Sequence, residues 1–374
     1  MGNCEKRDAR LSIVIPNLLT WDGQRPVLGG LERHARALIR LAVELGYRVD
    51  VHQNASFDWE RVVDGVPVYG YGLARLSPHV ALQAIHRATD RILYASLLFQ
   101  PTRLKPGSVV VSHGVWWKDP QGEDLRPFEM LELCRDVLNQ AALVVSVDYN
   151  FLNVMRAAYP RLAHKIEVIP NFVDLHLFSP PPTRPAAPVT ILYPRRLDSG
   201  PRGLDLFLGA AARVVQRHEG VALLLAVDQN NPAYNQQLHG LLASFPARDR
   251  VAVRTFDFEE MPQAYRAAHI TVIPSRYSEG TSFSCLEAMA CESAVIATDV
   301  GGLTNLILDG YNGLLVPPRA DSLAVAMERL VTDAGLRRRL ARAARATAGA
   351  FSLEKWRQRW ARVLETYYPL EGRR

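Results

Sequence analysis

The stretch "GGLERHARALIRLAVELGYRVDV", residues 29–51, sets the fold class. Within it Leu31, Ala35, Leu38, Ala42 and Leu45 recur at steps of four, three, four and three, while Arg33, Arg36 and Arg40 fall on other faces. That period predicts an amphipathic helix, ended by Gly46. The run "YRVDVHQ" (47–53) follows at once and reads as a strand. Outward from there, "LSIVIP" (11–16), "SVVVSHG" (108–114), "LVVSVD" (143–148) and "KIEVIP" (165–170) are further strands separated by longer amphipathic segments. Strands alternating with helices require parallel pairing through helical crossovers. The segment "SPPPTRPAAP" (179–188) can continue neither element, because its prolines lack N–H donors and fix φ. The rhythm then restarts with "VTILYPRRL" (189–197), "VALLLAV" (221–227), "VAVRTF" (251–256), "ITVIPS" (270–275) and "AVIATDV" (294–300).

The expected architecture is therefore α/β, with two Rossmann-like, doubly wound domains facing across a cleft. The expected boundaries are 1–178, a linker at 179–188, a second domain at 189–351 and a closing helix at 352–374 that packs back toward the N-terminal domain. In that helix Leu353, Trp356, Trp360, Val363, Leu364 and Tyr367 fall at helical spacing and read as core. A chain of 374 residues exceeds one ordinary core, which agrees with two domains. Ligands of such sheets bind outside the carboxyl ends of the strands.

The net charge of +6 is compatible with anionic partners and does not demand nucleic acid. It is concentrated at the end, where residues 334–374 hold eleven Lys/Arg against three Asp/Glu. Such a segment suits either an anionic membrane surface or a solvated arginine-rich helix. Cys4, Cys134, Cys285 and Cys291 form no C-x-x-C pair, so neither a disulfide framework nor a zinc site is expected, and a reducing cytoplasm fits. No apolar run reaches the roughly 20 residues of a membrane span. The start "MGNCEKRDAR" is not a secretory signal, and Lys6 stands where N-acylation needs Ser or Thr.

Several loops at strand ends carry groups suited to a phosphorylated sugar. Gly29 and Gly30 directly precede a helix, where side-chain-free backbone lets a phosphate approach amides at the positive helix pole; a plain tight turn reads equally well. In "YPRRLDSGPRGLDLFLGAA" a strand ends at Arg195-Arg196 and Arg202 stands just before a helix. Guanidinium groups there can hold a diphosphate and neutralise it as it departs. His113 closes the strand of "SHGVWW", either as a satisfied core histidine or as a group presented to a cleft. Trp116 and Trp117 follow and suit stacking on a sugar ring or lid packing. In "RYSEGTSFSCLEAMACES" (276–293), Phe283, Leu286 and Ala290 share a helical face, which puts Glu279 in a loop and Glu287 in the helix. A glycosidase needs two carboxylates about 5–9.5 Å apart across one bond, which this arrangement does not naturally provide. Glu279 can instead accept from sugar hydroxyls, Gly280 and Thr281 can offer amides to phosphate, and Glu287 can grip a ribose diol.

Taken in order, "GGLERHARALIRLAVELGYRVDV", "VVVSHG", "KIEVIPNFVDLHLF", "YPRRLDSGPRGLDLFLGAA" and "SEGTSFSCLEAMACESAVIATDVGGLTNLILDGYNGLLVPP" resemble retaining GT-B glycosyltransferases of family 4, also called group 1, over nearly the whole chain. The resemblance implies a UDP- or GDP-sugar donor as co-substrate, no metal and no other cofactor. It implies that Gly30 approaches the diphosphate, Arg196 and Arg202 bind it, Glu279 contacts the donor sugar, Glu287 the ribose and His113 the sugar near the reacting face. The acceptor is expected to be a glycan, a lipid-linked or a small hydroxylated molecule, at a cytoplasmic site or the inner membrane face. Three features depart from the family: Arg202 stands where Lys is usual, "DSGP" lengthens its turn, and "DQNNPAY" replaces a glycine-bearing turn. The chain has no D-x-D, and Asp257-Phe258-Glu259 reads as a helix start. A nucleotide-sugar 2-epimerase and a catalytically inactive nucleotide-sugar-binding subunit are the alternatives. A nicotinamide-dependent dehydrogenase lacks its G-x-G-x-x-G after the first strand.

Overall fold

The structure, a computed structural model, describes residues 9–72, 89, 91–97, 104–115, 127–197, 200–228 and 231–370. The chain divides into two compact units: Met1–His113 with Arg126–Pro170 and Glu354–Arg374, and Gly114–Leu125 with Asn171–Leu353.

Among the described residues the first unit carries eight strands: β1 (Arg10–Val14), β2 (Arg48–Ala55), β3 (Trp59–Val63), β4 (Val66–Gly72), β5 (Ile92–Tyr94), β6 (Val109–Ser112), β7 (Leu143–Ser146) and β8 (Ile166–Val168). They lie in the order β3-β4-β2-β1-β5-β6-β7-β8, and every pairing is parallel except β3 with β4. That hairpin and β5 are strands the sequence reading missed. Its turn is Asp64-Gly65, with φ of 51° and 79°, and Asp-Gly is the pair that left-handed hairpin turns favour. β6 and β7 are buried at every residue, as parallel strands covered on both faces must be. The helix Gly30–Glu44 buries Ala35, Leu38, Ile39, Leu41 and Ala42. Gly46, at φ 93°, then turns the chain into β2.

The helix Leu353–Tyr367 buries Trp356, Trp360, Val363 and Leu364, and its residues from Glu354 onward belong to this first unit. A hydroxyl network ties its end to the sheet. Tyr47 Oη reaches the carbonyls of Leu364 (3.1 Å) and Tyr368 (2.8 Å). Tyr368 Oη accepts the Val109 amide at 2.8 Å and donates to the Ile92 carbonyl.

The second unit carries β9 (Val189–Tyr193), β10 (Val221–Ala226), β11 (Val251–Arg254), β12 (Ile270–Ile273), β13 (Ala294–Thr298) and β14 (Leu314–Val316), all parallel, in the order β11-β10-β9-β12-β13-β14. The strand order reverses between β9 and β12, which makes their carboxyl ends the topological switch point of this sheet.

Residues 179–188 lie within the second unit and do not form a free linker. The Arg184 guanidinium donates to the carbonyls of Arg266 (3.1 Å), Cys291 (3.1 Å) and Glu292 (3.0 Å), and His269 Nε2 bonds Pro185 O at 2.7 Å. Prolines exclude regular elements, but one arginine is enough to bind such a segment to a domain surface. The change of unit falls after Pro170 and not at 178. Val173 pairs with Ser352, and Phe178 is fully buried in the second core. The basic residues of the last forty are divided between the units: Arg337 and Arg345 donate to carbonyls of the second, while Arg357 and Arg359 pair with Glu44 and Glu167 of the first. Among the described residues no helix is long and apolar enough to cross a membrane.

Removing the Tyr368 hydroxyl leaves the Val109 amide and the Ile92 carbonyl without that partner inside the core. We expect Tyr368→Phe to cost about 1–3 kcal/mol, read as a lower denaturant midpoint at unchanged slope.

Candidate functional site

At the switch point of the second sheet, Arg195 follows β9 by two residues, and the loop 274–282 follows β12. Both contribute to one buried ionic cluster. Glu279 Oε2 receives Arg195 Nη2 at 2.5 Å, Arg202 Nη1 at 2.9 Å and the Ser275 hydroxyl at 2.8 Å. Arg195 also donates to the hydroxyls of Ser275 (3.1 Å) and Ser282 (3.3 Å). Burial alone would raise the Glu279 carboxyl. The two guanidinium charges and the bonds from Arg195 and Ser275 outweigh it and hold the group down at about 2. Glu279 is therefore ionised at neutral pH, between the guanidiniums of Arg195 and Arg202. Its Oε1 has no hydrogen-bond partner among the described residues, and neither has the amide of Gly280.

Close backbone packing fixes this loop. A Cβ on Gly203, whose φ is +67°, would lie 1.9 Å from Pro274 O; one on Gly301 would lie 2.3 Å from Glu279 O. One on Gly302 would meet Gly280 at 2.6 Å. Glycine is required where backbones approach so closely. The Gly302 amide donates to Glu279 O at 2.6 Å, the Thr298 hydroxyl to Ser275 O at 2.6 Å, and the Asn171 amide nitrogen to Thr281 O at 2.8 Å. Thr281 is buried.

Glu287 lies in the helix Phe283–Ala290, four per cent exposed, and its Oε2 accepts the Tyr265 hydroxyl at 2.7 Å. Glu279 and Glu287 thus stand on different elements with different partners. Of the sequence-predicted arginines, Arg202 is in the cluster, whereas Arg196 is exposed; its neighbour Arg195 is the buried member. Arg195, Ser275, Asn171, Tyr265 and the glycines 301–302 were not picked out by sequence as site residues. "VGG" in "ATDVGGLTN" is the one local sign of close approach among them.

The first unit holds the other candidates. Gly29 caps the helix Gly30–Glu44 with no side-chain hydrogen bond, and Gly30 is exposed. Glu32 in the first turn weakens the positive pole there for an anion. His113, at the end of β6, bonds Ala95 O through Nε2 at 2.8 Å, so that nitrogen carries the proton. Burial disfavours its imidazolium, and the group is pushed down to about 4, leaving a neutral ring with Nδ1 as acceptor. Its ring meets His34 edge-on at 5.2 Å between centroids, and His34 meets Trp356 at the same distance. Trp116, Trp117, Asp198, Ser199, Gln229 and Asn230 lie outside the described residues.

Comparison with known proteins shows the family. Residues 28–177 match the Glycosyltransferase Family 4 description and residues 188–333 match Glycosyl transferases group 1. A D-inositol 3-phosphate glycosyltransferase of Kribbella flavida is 32% identical over 87% of this chain and 88% of its own. An alpha-D-kanosaminyltransferase of Streptomyces kanamyceticus is 35% identical over 44% of this chain and 42% of its own. Among solved structures, sucrose-phosphate synthase from Thermosynechococcus elongatus superposes with a TM-score of 0.74 at 22% identity, over 96% of this chain and 99% of that one. Anabaena HepE, solved in complex with UDP-glucose, gives 0.72 at 20% identity, over 95% and 100%. Two parallel Rossmann-like sheets, matches over both units and a relative similar across most of both chains establish that this chain belongs to glycosyltransferase family 4, the group 1 glycosyl transferases, with the GT-B fold.

Proposed function

We propose that the chain transfers a sugar from a UDP- or GDP-sugar to a hydroxylated acceptor with retention of anomeric configuration. The observation that carries this reading is the buried cluster of Arg195, Glu279 and Arg202 at the switch point, beside the unpartnered Gly280 amide. It is built for an anion and a sugar at once. Arg202 and the loop amides bind the diphosphate, and their field strengthens as the anomeric C–O bond breaks and charge collects on the leaving oxygen. Glu279 Oε1 accepts a donor-sugar hydroxyl, and Glu287, oriented by Tyr265, takes the ribose diol. From the first unit, neutral His113 offers Nδ1 to a substrate hydroxyl. The acceptor oxygen forms the new C–O bond as the diphosphate departs, and its proton passes to the leaving phosphate oxygen. The arginines supply the neutralisation that a divalent cation supplies elsewhere. The Anabaena protein solved with UDP-glucose supports a UDP donor, and the Kribbella relative, named for D-inositol 3-phosphate, supports a small hydroxylated acceptor.

A screen of UDP-, GDP-, ADP- and dTDP-sugars by thermal shift, followed by transfer assays with EDTA present, tests the reading. We expect one donor to stabilise the protein and to be turned over only with an acceptor; conversion of the donor alone would point to epimerisation and sink it. In Glu279→Gln the cluster loses the carboxylate charge that Arg195 and Arg202 share. Transfer should fall on the order of a hundredfold while UDP binds at least as tightly, and equal losses of both would refute the assignment. Tyr265→Phe should raise the donor KM roughly three- to tenfold with kcat little changed, because only the orientation of Glu287 is lost.

His113 gives a pH signature. Its folded value near 4 lies below the ordinary 6.5, so the unfolded chain binds the extra proton first. Stability from this group is complete above pH 6.5 and is lost as pH falls toward 4, at a rate of at most about 1.4 kcal/mol per pH unit. Denaturant titrations at pH 7, 5.5 and 4.5 should show a shallower decline for His113→Gln than for the parent; parallel declines would contradict a neutral His113.

A further inference from the structure

We propose that Trp21 and Phe57 form an aromatic platform that receives one face of a pyranose ring belonging to the acceptor. This rests on the sugar-transfer reading, and adds an acceptor subsite and its residues. Both side chains are exposed, at 49% and 53%. They sit on the loops that leave the carboxyl ends of β1 and β2, neighbouring strands of the first sheet, on the side of a doubly wound sheet where ligands bind.

The mount beneath them is rigid. Residues 19–26 form a small hairpin, with Leu19 bridged to Pro26, Thr20 N–H bonded to Arg25 O at 2.7 Å and Gly23 N–H to Thr20 O at 2.7 Å. The Trp21 carbonyl accepts three donors from the segment that carries Phe57: the Ser56 amide (3.0 Å), the Ser56 hydroxyl (3.2 Å) and the Trp59 indole N–H (3.0 Å). Trp59 is itself buried against Gly23 and Gly70, where an added Cβ would lie 2.9 and 2.2 Å from its ring. The buried Gln53 side chain fixes the root of the hairpin, accepting the Leu18 and Leu19 amides at 2.8 Å each and donating to Leu19 O at 3.0 Å. The hydrogen bonds thus tie down the two neighbouring loop segments from which Trp21 and Phe57 are exposed, and preorganised exposed aromatics lower the cost of binding a ring.

The surroundings select a sugar over a lipid. Asp22, Gln24, Arg25 and Asp58, exposed and within four residues of Trp21 or Phe57 in the chain, would all be dehydrated if the loops entered hydrocarbon. A pyranose has an apolar C–H face for the rings and a rim of hydroxyls for these side chains.

Saturation-transfer NMR with methyl α-D-glucopyranoside, methyl α-D-mannopyranoside and methyl β-D-galactopyranoside tests the platform on the whole chain. We expect ring protons of at least one glycoside to receive saturation, the signal to fall about fivefold in Trp21→Ala and Phe57→Ala, and Trp21→Phe to restore most of it. The UDP thermal shift should stay at its parental value in all three variants, which shows that they are folded. No signal from any glycoside, or full signal in Trp21→Ala, overturns the platform; so does Trp21-dependent flotation with phosphatidylcholine vesicles without a glycoside response. Loss of the glycoside signal in a protein that transfers no sugar would instead keep the platform and refute the transfer reading. Transfer with an acceptor KM unchanged in Trp21→Ala would do the reverse.

Discussion

One buried carboxylate shared by two guanidiniums organises the second unit's site. Removing a charge from water is costly unless it is paired, and Glu279 is paired twice, with Arg195 and Arg202, and further held by Ser275. These partners come from separate stretches of chain, so the cluster exists only if the exit of β9, the turn before the helix Leu204–Arg217 and the loop after β12 meet. Gly203, Gly301 and Gly302 make that meeting sterically possible, each lying where a Cβ would fall within 2.6 Å of the loop's backbone. The ionic term fixes the charges, and the glycines fix the distances. Neither alone would leave Oε1 of Glu279 and the Gly280 amide open at a defined place.

The fold was largely legible because its signals are periodic. The helix Gly30–Glu44 and ten of the strands follow from spacing and β-branched runs, and the second sheet repeats the rhythm of the first. What escaped had local chemistry in place of period. The β3–β4 hairpin hides behind alternating polar residues and is betrayed only by Asp64-Gly65. The prolines of 179–188 suggested a linker, since sequence shows that a segment has no regular structure but not that Arg184 binds it to three carbonyls.

The site was legible as composition and less so as geometry. Glu279 and Glu287 could be separated into loop and helix from the apolar face of Phe283, Leu286 and Ala290. Of the adjacent Arg195 and Arg196, the sequence reading takes Arg196 for the diphosphate. Successive residues leaving a strand point to opposite sides, so one of two adjacent arginines must turn inward and the other outward. The structure turns Arg195 in. Likewise nothing near Glu287 in the chain announces Tyr265, because their contact joins two helices.

The electrostatics also constrain how a proton could move in the proposed reaction. A general base works best when its pKa lies near the operating pH. Glu279, held at about 2 by two arginines, is a poor acceptor of the acceptor's proton at neutrality, and His113, held near 4 by burial, is little better. Both shifts run away from the value a base would need, and both have structural causes that persist as long as the fold does. The stronger base available at the moment of transfer is the phosphate oxygen released by the breaking bond. It is also the atom that the proposed reading assigns to Arg202 and the loop amides. With both candidate bases suppressed, the proposed reaction is left with the departing phosphate oxygen as its proton acceptor, on the face where that group leaves, which is the route the proposed retention of configuration requires.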